Sequence, residues 1–180
     1  MNKTVISSAL AAASIVAFAP AAHAFDGTIE FTGSLVATTC TINGGGSANN
    51  FTVALPPVST DALKAAGSSA GRTPFQLKLT NCQPDTGKVS TFFESGPTIN
   101  TATGRLMVDA GGAEGVEIGL LNDSFQHIAA GAAYNAQNSQ VVDITGGNAT
   151  LNYYAQYESL GTTLKAGPAN SRVQYTMSYQ

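Results

Sequence analysis

The residues that decide the fold class are Val173-Gln174-Tyr175-Thr176-Met177-Ser178-Tyr179-Gln180. Apolar or aromatic side chains stand at the odd positions, and uncharged polar side chains stand at the even positions. Because successive side chains of a β-strand point to opposite faces of the sheet, this alternation predicts a strand with one buried face. Exposed strand edges are normally protected by charge or proline, and this stretch has neither. We therefore expect an edge that another strand covers.

The same two-residue period recurs along the chain. Alternating stretches occupy residues 51–55, 75–80, 89–93, 106–108, 116–120 and 151–158. Residues rich in Gly, Asn and Pro separate them, and the capped stretch 59–67 is the one place where a short helix is predicted. Short strands between frequent turns indicate an antiparallel all-β sandwich, with residues 37–180 as a single domain.

The first 24 residues have the pattern of a secretory leader. One cation, Lys3, precedes an apolar run over residues 5–18, and Ala22-His23-Ala24 is a small-residue cleavage signal. The alternative is a retained anchor helix, but the run is shorter than the roughly 20 residues that span a bilayer. Cleavage after Ala24 leaves 156 residues, since 24 of the 180 are removed.

The segment 25–36 that follows the leader alternates as cleanly as the other end of the chain. Its odd positions are apolar or glycine, and its even positions from 26 to 34 are polar. The odd set comprises Phe25, Gly27, Ile29, Phe31, Gly33 and Leu35. Chain ends are usually frayed, so a strongly patterned end needs a surface that buries its apolar face. An ordinary first strand of the sandwich is the alternative reading.

Charge and cysteine usage narrow the classes of partner. Without Lys3, seven cations face eleven acids, a net charge of −4, and no basic cluster follows a phosphate backbone. Nucleic acid is therefore a poor candidate. The two cysteines, Cys40 and Cys82, lack the spacing of a zinc site, and no metal is expected. In an oxidising compartment such a pair usually forms a disulfide, with two separate buried thiols as the alternative.

Several further features, taken in order, resemble the subunits of chaperone–usher fimbriae, the type 1-like pilins. They are Phe31-Thr32-Gly33, Cys40 beyond it, Phe75-Gln76-Leu77-Lys78-Leu79-Thr80-Asn81-Cys82, the aromatic stretch 153–157, Gly167 and the penultimate Tyr179. Each feature is weak alone. Their joint order behind a leader identifies the chain as a member of this family.

The resemblance implies an incomplete immunoglobulin-like β-sandwich, the pilin fold, which lacks its last strand and is completed in trans by a donor strand. The implied donor positions are the odd set of segment 25–36. The implied acceptor edge, which is also the chaperone contact, comprises Gly167, Val173, Tyr175, Met177 and Tyr179. The implied partners are identical or related fimbrial subunits, a periplasmic chaperone and an outer-membrane usher, with no cofactor. The implied destination is a fimbria on the cell surface that supports adhesion.

Two other classes of function compete with this interpretation. An enzyme is disfavoured because His127, Ser124 and Asp123 are neighbours in one loop, whereas triad members converge from different elements. Glu114 and Glu117 are expected to be solvated. A minor or tip-adaptor subunit, or a single-domain carbohydrate-binding adhesin that uses its tyrosines, stays open as the alternative. The expected role is nevertheless that of a structural shaft subunit.

Overall fold

The structure is a computed structural model that describes residues 29–33, 35, 37, 39–43 and 49–180. The chain divides into two compact units, Met1–Ser34 and Leu35–Gln180. Residues 29–33 of the first unit lie in no strand or helix. The predicted leader 1–24 and the donor positions Phe25 and Gly27 lie outside the described residues.

The described part of the second unit contains ten β-strands. They are β1 Thr39–Ile42, β2 Ser69–Gln83, β3 Gly87–Phe93, β4 Ile99–Asn100, β5 Arg105–Met107, β6 Val116–Leu121, β7 His127–Ile128, β8 Val141–Ile144, β9 Ala149–Ser159 and β10 Tyr175–Tyr179. Two 3-10 helices, Thr60–Leu63 and Tyr134–Ala136, lie between them. The predicted all-β class is confirmed.

The strands form two antiparallel sheets. The large sheet has the order β1-β2-β9-β6-β5-β4, with β7 also paired to β6, and the small sheet has the order β10-β3-β8. The central ladder joins β2 to β9, with Leu77 opposite Leu151 and Phe75 opposite Tyr153. The two ends of the described sequence from 39 onward thus contribute edge strands, β1 to one sheet and β10 to the other.

One apolar core lies between the sheets. The alternating residues of β2, β3, β6 and β9 supply most of its members. Leu77, Leu151 and Tyr153 are at most 1% exposed. Fully burying each aliphatic side chain stabilises the fold by about 1.5–3 kcal/mol. The sequence period of two therefore corresponds to the two faces of each sheet.

The predicted disulfide is present, and it joins Cys40 of β1 to Cys82 of β2. The bridge closes a sequence separation of 42 residues. In the chain-entropy description such a loop stabilises the folded state by about 3–4 kcal/mol. It holds the short edge strand β1, which has only four residues, against the long strand β2.

Several predicted elements differ in extent. The stretch 59–67 forms only the 3-10 helix Thr60–Leu63, where the Ser59 hydroxyl accepts a hydrogen bond from the Asp61 N–H at 3.2 Å. β10 begins at Tyr175 rather than at Val173, and β5 ends at Met107 rather than at Val108. The strand β8 was missed because its sequence, Val-Val-Asp-Ile, does not alternate. The largest difference concerns residues 51–55, which lie in no strand.

The expectation that Glu117 is solvated was wrong. Glu117 is 2% exposed, and its carboxylate accepts hydrogen bonds from Asn100 Nδ2 at 2.6 Å and Thr103 Oγ1 at 2.8 Å. Glu158 lies opposite Glu117 in the β6–β9 ladder and is paired with Arg105. The β4–β5 turn folds over this part of the sheet, so a charged residue can be buried with its hydrogen bonds satisfied.

In the described part of the chain, no helix is long and apolar enough to cross a membrane. Over the same residues, no group of three or more His, Cys, Asp and Glu side chains has the arrangement of a metal site.

Candidate functional site

Among the described residues, the strand β10 is paired along only one of its two edges. Its single partner there is β3, with Tyr175 opposite Phe93 and Tyr179 opposite Val89. In the same register, Lys88 and Gln180 exchange two backbone hydrogen bonds of 2.9 Å. In an antiparallel ladder, hydrogen-bonded pairs alternate with non-hydrogen-bonded pairs. The even residues of β10 therefore direct their backbone N–H and C=O groups toward β3.

The odd residues of β10 therefore turn their backbone groups to the free side. Because Lys88 and Gln180 form a hydrogen-bonded pair, the alternation places the N–H and C=O of Tyr175, Met177 and Tyr179 on the side away from β3, where the described residues place no other strand. We call this side of β10 the open edge. A row of unpaired N–H and C=O groups is a template for pairing with another strand.

The side chains at the open edge are apolar but only half-buried. Tyr175, Met177 and Tyr179 pack against the core without being enclosed by it. Burial raises the pKa of the Tyr175 and Tyr179 phenols above the usual value. Both rings are thus neutral at ordinary pH, and the part of each ring that is still exposed can be buried by a partner.

A second bare stretch of backbone, residues 51–58, begins shortly after a residue that contacts β10. Tyr175 Oη donates a hydrogen bond of 2.8 Å to the carbonyl oxygen of Asn49, shortly before this stretch. Over the described chain, no backbone hydrogen bond is formed by any residue from 51 to 58. Val53 and Leu55 are half-buried, whereas Thr52 and Ala54 are exposed. The sequence period predicted a strand here, and the residues do alternate, but the ladder partner is missing.

An aromatic row connects this bare stretch with the small sheet. Ring centroids lie 6.1 Å apart for Phe51 and Phe75, 5.5 Å for Phe75 and Tyr153, and 5.5 Å for Tyr153 and Phe93. Phe93 is the ladder partner of Tyr175 on β10. The open edge and residues 51–58 therefore flank the same aromatic part of the core. Aromatic rings contribute large apolar areas to such contacts.

The end of β10 is fixed in place by side-chain contacts. Gln180 Nε2 donates a hydrogen bond of 2.7 Å to Tyr134 Oη, and Tyr134 Oη lies 3.1 Å from Ser90 Oγ. Together with the two backbone bonds to Lys88, these contacts hold the last residue of the chain. The end of the open edge is therefore held in place within the subunit itself.

Two of the predicted acceptor residues lie outside β10. Val173 is half-buried against the core just before the strand begins. Gly167 lies against residues 112–113, where an added Cβ would come within 3.0 Å of the Ala113 nitrogen. This close packing leaves little room for a side chain, which explains why a glycine occupies position 167. The contacts of Gly167 are with residues 112–113 and not with the open edge.

Three of the predicted donor side chains are almost fully exposed to solvent. Ile29 is 80% exposed, Phe31 is 92% exposed and Leu35 is fully exposed. An added Cβ on Gly33 would meet nothing within 4 Å. The chain thus presents apolar side chains to solvent at the positions where the sequence alternates.

The residues considered for catalysis are engaged in structural contacts. His127 Nε2 lies 3.0 Å from the Thr103 carbonyl oxygen, and the Ser124 N–H donates to Asn122 Oδ1 at 3.0 Å. Glu114 forms an exposed ion pair with Lys165 at 2.6 Å. Within the described residues, no base–nucleophile hydrogen bond joins His127 to Ser124, which is the contact that a serine triad requires.

The fold is similar to that of solved pilus subunits. The chain superposes on the P pilus rod subunit PapA with a TM-score of 0.59 and 18% identity, over 78% of this chain and 99% of that chain. It superposes on the CupB6 tip adhesin of Pseudomonas aeruginosa with a TM-score of 0.52 and 20% identity, over 65% of this chain and 33% of that chain. The fold class is therefore the incomplete β-sandwich of pilus subunits.

Sequence relatives define the family. Residues 55–180 match the family described as FimA: Type-1 fimbrial protein, A. The chain is 44% identical over 172 residues to the "Major fimbrial subunit SMF-1" of Stenotrophomonas maltophilia, covering 92% of this chain and 99% of the relative. It is 39% identical over 163 residues to the "F17 fimbrial protein" of Escherichia coli, covering 87% and 89%. The chain belongs to the type-1 fimbrial protein family and is a structural subunit of a surface fimbria.

Proposed function

We propose that this subunit polymerises by donor-strand complementation, with residues 25–36 of one copy lying along β10 of the next. The observation that carries this proposal is the open edge itself. Tyr175, Met177 and Tyr179 combine unpaired backbone groups with half-buried apolar side chains on one strand. Strand addition to a sheet edge draws affinity from main-chain hydrogen bonds and specificity from alternate side chains, and the completion of pilins by a donor strand is a known instance of this mode.

The energetic terms favour insertion of a strand with apolar alternation. Burial of Ile29, Phe31 and Leu35 contributes about 1.5–3 kcal/mol for each side chain. Each backbone hydrogen bond adds about 0.5–1.5 kcal/mol net. The bare stretch 51–58 offers further backbone groups beside the aromatic row, which makes an inserted strand a candidate for pairing on both of its edges.

A subunit that carries both a donor segment and an acceptor edge forms head-to-tail contacts. Such heterologous contacts do not close on themselves by a twofold axis and propagate into open helical filaments. The role is that of a shaft subunit, because a donor and an acceptor on one chain extend a fibre at both ends. The strength of the fibre is kinetic, since extraction of a strand opens a folded core.

The same proposal includes the route to the surface. The leader 1–24 directs export and is removed in the periplasm, where a chaperone covers the open edge until assembly at an outer-membrane usher. An uncovered apolar edge invites non-specific pairing, which is the physical reason for a transient partner. The relatives that support this route are fimbrial subunits by name.

Gly33→Arg tests the proposal, with Thr32→Arg as the matched control on the opposite face of the segment. An added side chain at Gly33 meets nothing in the chain itself, so the subunit should fold normally and form its disulfide. We expect Gly33→Arg to reduce surface fibres at least about tenfold, which corresponds to a loss of roughly 1.4 kcal/mol or more in assembly. The measurement is unheated SDS electrophoresis of surface material, where fibres give a ladder that collapses on boiling.

Thr32→Arg should retain the ladder, because the even positions face away from the acceptor. Wild-type ladders from Gly33→Arg, or equal loss in both variants, would contradict insertion of residues 25–36 at the open edge.

A further inference from the structure

The outer face of the large sheet carries an exposed aromatic cluster that polymerisation at β10 does not use. Phe125 is 52% exposed and lies in the turn between β6 and β7. Its ring centroid is 4.7 Å from that of Tyr154 on β9, and the Arg72 guanidinium carbon is 4.9 Å from the Phe125 centroid. We call Phe125, Tyr154 and Arg72 the front patch.

The turn holds Phe125 in an unfavourable backbone conformation. Its φ angle is 61°, a region that bulky residues rarely adopt. Asn122 is 6% exposed and fixes the turn, because its Oδ1 accepts hydrogen bonds of 3.0 Å from the N–H groups of both Ser124 and Gln126. Backbone strain of this kind persists where the surrounding structure over-determines it, and it is concentrated at functional sites. Here the strain presents an aromatic ring to solvent on a rigid support.

Arg72 is also without an acidic partner. Among the described residues, Lys64, Lys88, Arg105, Lys165 and Arg172 each lie within 4.0 Å of a carboxylate, whereas Arg72 and Lys78 do not. Its Nε donates to Gln156 Oε1 at 2.9 Å, and within the described chain its two terminal nitrogens donate no hydrogen bond. The front patch therefore combines aromatic surface with a guanidinium group that has no carboxylate within 4.0 Å among the described residues.

The outer face of the small sheet carries the complementary set. Phe92 of β3 and Tyr134 have ring centroids 6.1 Å apart, and Tyr134 is 46% exposed. Glu94, on the same outer face, accepts a hydrogen bond of 2.6 Å from Thr176 Oγ1 and has no cation within 4.0 Å among the described residues. We call Phe92, Tyr134 and Glu94 the back patch. It combines aromatic surface with an uncompensated negative charge.

We infer that the front patch of one copy docks on the back patch of a second copy, forming a lateral contact within the assembled fimbria. This inference rests on the proposed function, which supplies many copies in one fibre. The two patches lie on the outer faces of different sheets, so the contact is heterologous and repeats as the donor-strand contact does. In this contact Arg72 of one copy approaches Glu94 of the other, so the two charges are complementary. Tyrosine and arginine side chains often contribute most of the binding free energy of a protein interface.

Cysteine cross-linking on assembled fibres tests the contact directly. Fibres are prepared from a subunit with both Arg72→Cys and Glu94→Cys, and from each single variant, then oxidised mildly and boiled without reductant. Boiling separates donor-strand contacts but leaves disulfides intact. We expect dimers and higher species from the double variant and monomers from each single variant. Monomers alone from the double variant, in fibres that form a normal unboiled ladder, would overturn the inference.

A charge exchange provides the second arm. Arg72→Glu should disrupt lateral order in electron micrographs while the unboiled ladder is retained, and addition of Glu94→Arg should restore that order. Phe125→Asn should have the same effect as Arg72→Glu without lowering the melting temperature by more than a few degrees, because asparagine tolerates the positive φ. If neither variant changes lateral order, or if the double exchange fails to restore it, the contact between copies is refuted.

Two results separate this inference from its alternatives. Absence of any ladder in wild-type material would refute the proposed polymerisation, whereas a ladder without cross-links refutes only the lateral contact. Binding of wild-type fibres to a glycan array that is lost in Phe125→Asn, with lateral order unchanged, would assign the front patch to sugar and overturn its assignment to a second copy.

Discussion

The two edge strands of the small sheet, β10 and β8, differ in length and in charge. β10 has five residues and no charged side chain, whereas β8 has four residues and includes Asp143, paired with Lys88 at 2.6 Å. Both strands turn alternate backbone groups away from β3. A charged residue and a short length protect an edge against pairing with other chains. One edge of this sheet is thus apolar and unprotected, whereas the other carries a charge that disfavours strand addition.

The two sides of β3 also differ in how its backbone hydrogen bonds are satisfied past the end of β8. Where β8 ends, the side chain of Gln137 takes its place, because Phe93 N–H donates to Gln137 Oε1 at 2.9 Å and Gln137 Nε2 donates to the Phe93 carbonyl at 2.8 Å. Gln137 is 1% exposed. On that side the backbone is satisfied from within the chain. On the β10 side the described chain supplies no such substitute.

The largest expected effect comes from a charge on the open edge. Met177→Lys places an ammonium group where an apolar donor side chain would be buried, and we expect at least about a tenfold loss of fibres, since burial of an unpaired charge is strongly unfavourable. Met107→Lys, on the outer face of β5, is the matched control and should leave fibre yield unchanged. Fibre mass per cell measures the difference. Circular dichroism and disulfide content of the purified subunits check that both variants fold.

A smaller effect is expected from removal of the charge that protects the opposite edge. Asp143→Val leaves β8 uncharged, and we expect the purified subunit to aggregate a few times faster by light scattering. Glu114→Val is the matched control, because the Glu114–Lys165 pair has the same 2.6 Å separation and similar exposure but does not lie on β8. Loss of either exposed pair should change the free energy of unfolding by less than about 1 kcal/mol. Equal aggregation of the two variants would show that β8 needs no protection.

The smallest effect concerns alkaline pH. Burial raises the pKa of Tyr179 in the folded subunit above its unfolded value of about 10, so the folded state holds the phenolic proton more tightly. This contribution to stability is present below about pH 10 and is lost as the pH rises through the folded pKa. Tyr179→Phe should therefore reduce the fall in melting temperature between about pH 9 and pH 11 by no more than about 2 °C. Burial also raises the pKa of Tyr153 and Tyr175, so both proteins still lose stability at alkaline pH.

Parts of this structure were predictable because they depend on local patterns. Alternation located β2, β3, β6, β9 and β10, since the side-chain period of a strand is a property of the backbone. The pairing of Cys40 with Cys82 followed from there being two cysteines in a chain with a leader. The strand β8 was not predicted because Val141, which is 51% exposed, is an apolar residue on its outer face. The sequence of β8 therefore does not alternate between apolar and polar residues.

Other parts could not be predicted because they depend on residues far apart in sequence. Burial of Glu117 requires Asn100 at the end of β4 and Thr103 from the β4–β5 turn. The hydrogen bonds of Phe93 on β3 require Gln137, which is 44 residues away in sequence. The front patch likewise joins Arg72, Phe125 and Tyr154 from three elements. No spacing rule connects these residues before the sheets are assembled.

By itself, the sequence determined that the protein is an all-β sandwich with one disulfide and an alternating segment at each end. Only the tertiary structure decided that β3 is the partner of the last strand and that residues 51–58, though they alternate, pair with nothing in the described chain. The physical reason is that a strand's period reports which face is buried, whereas its hydrogen-bond partners come from distant segments. A missing partner is visible only after every other strand has found its own.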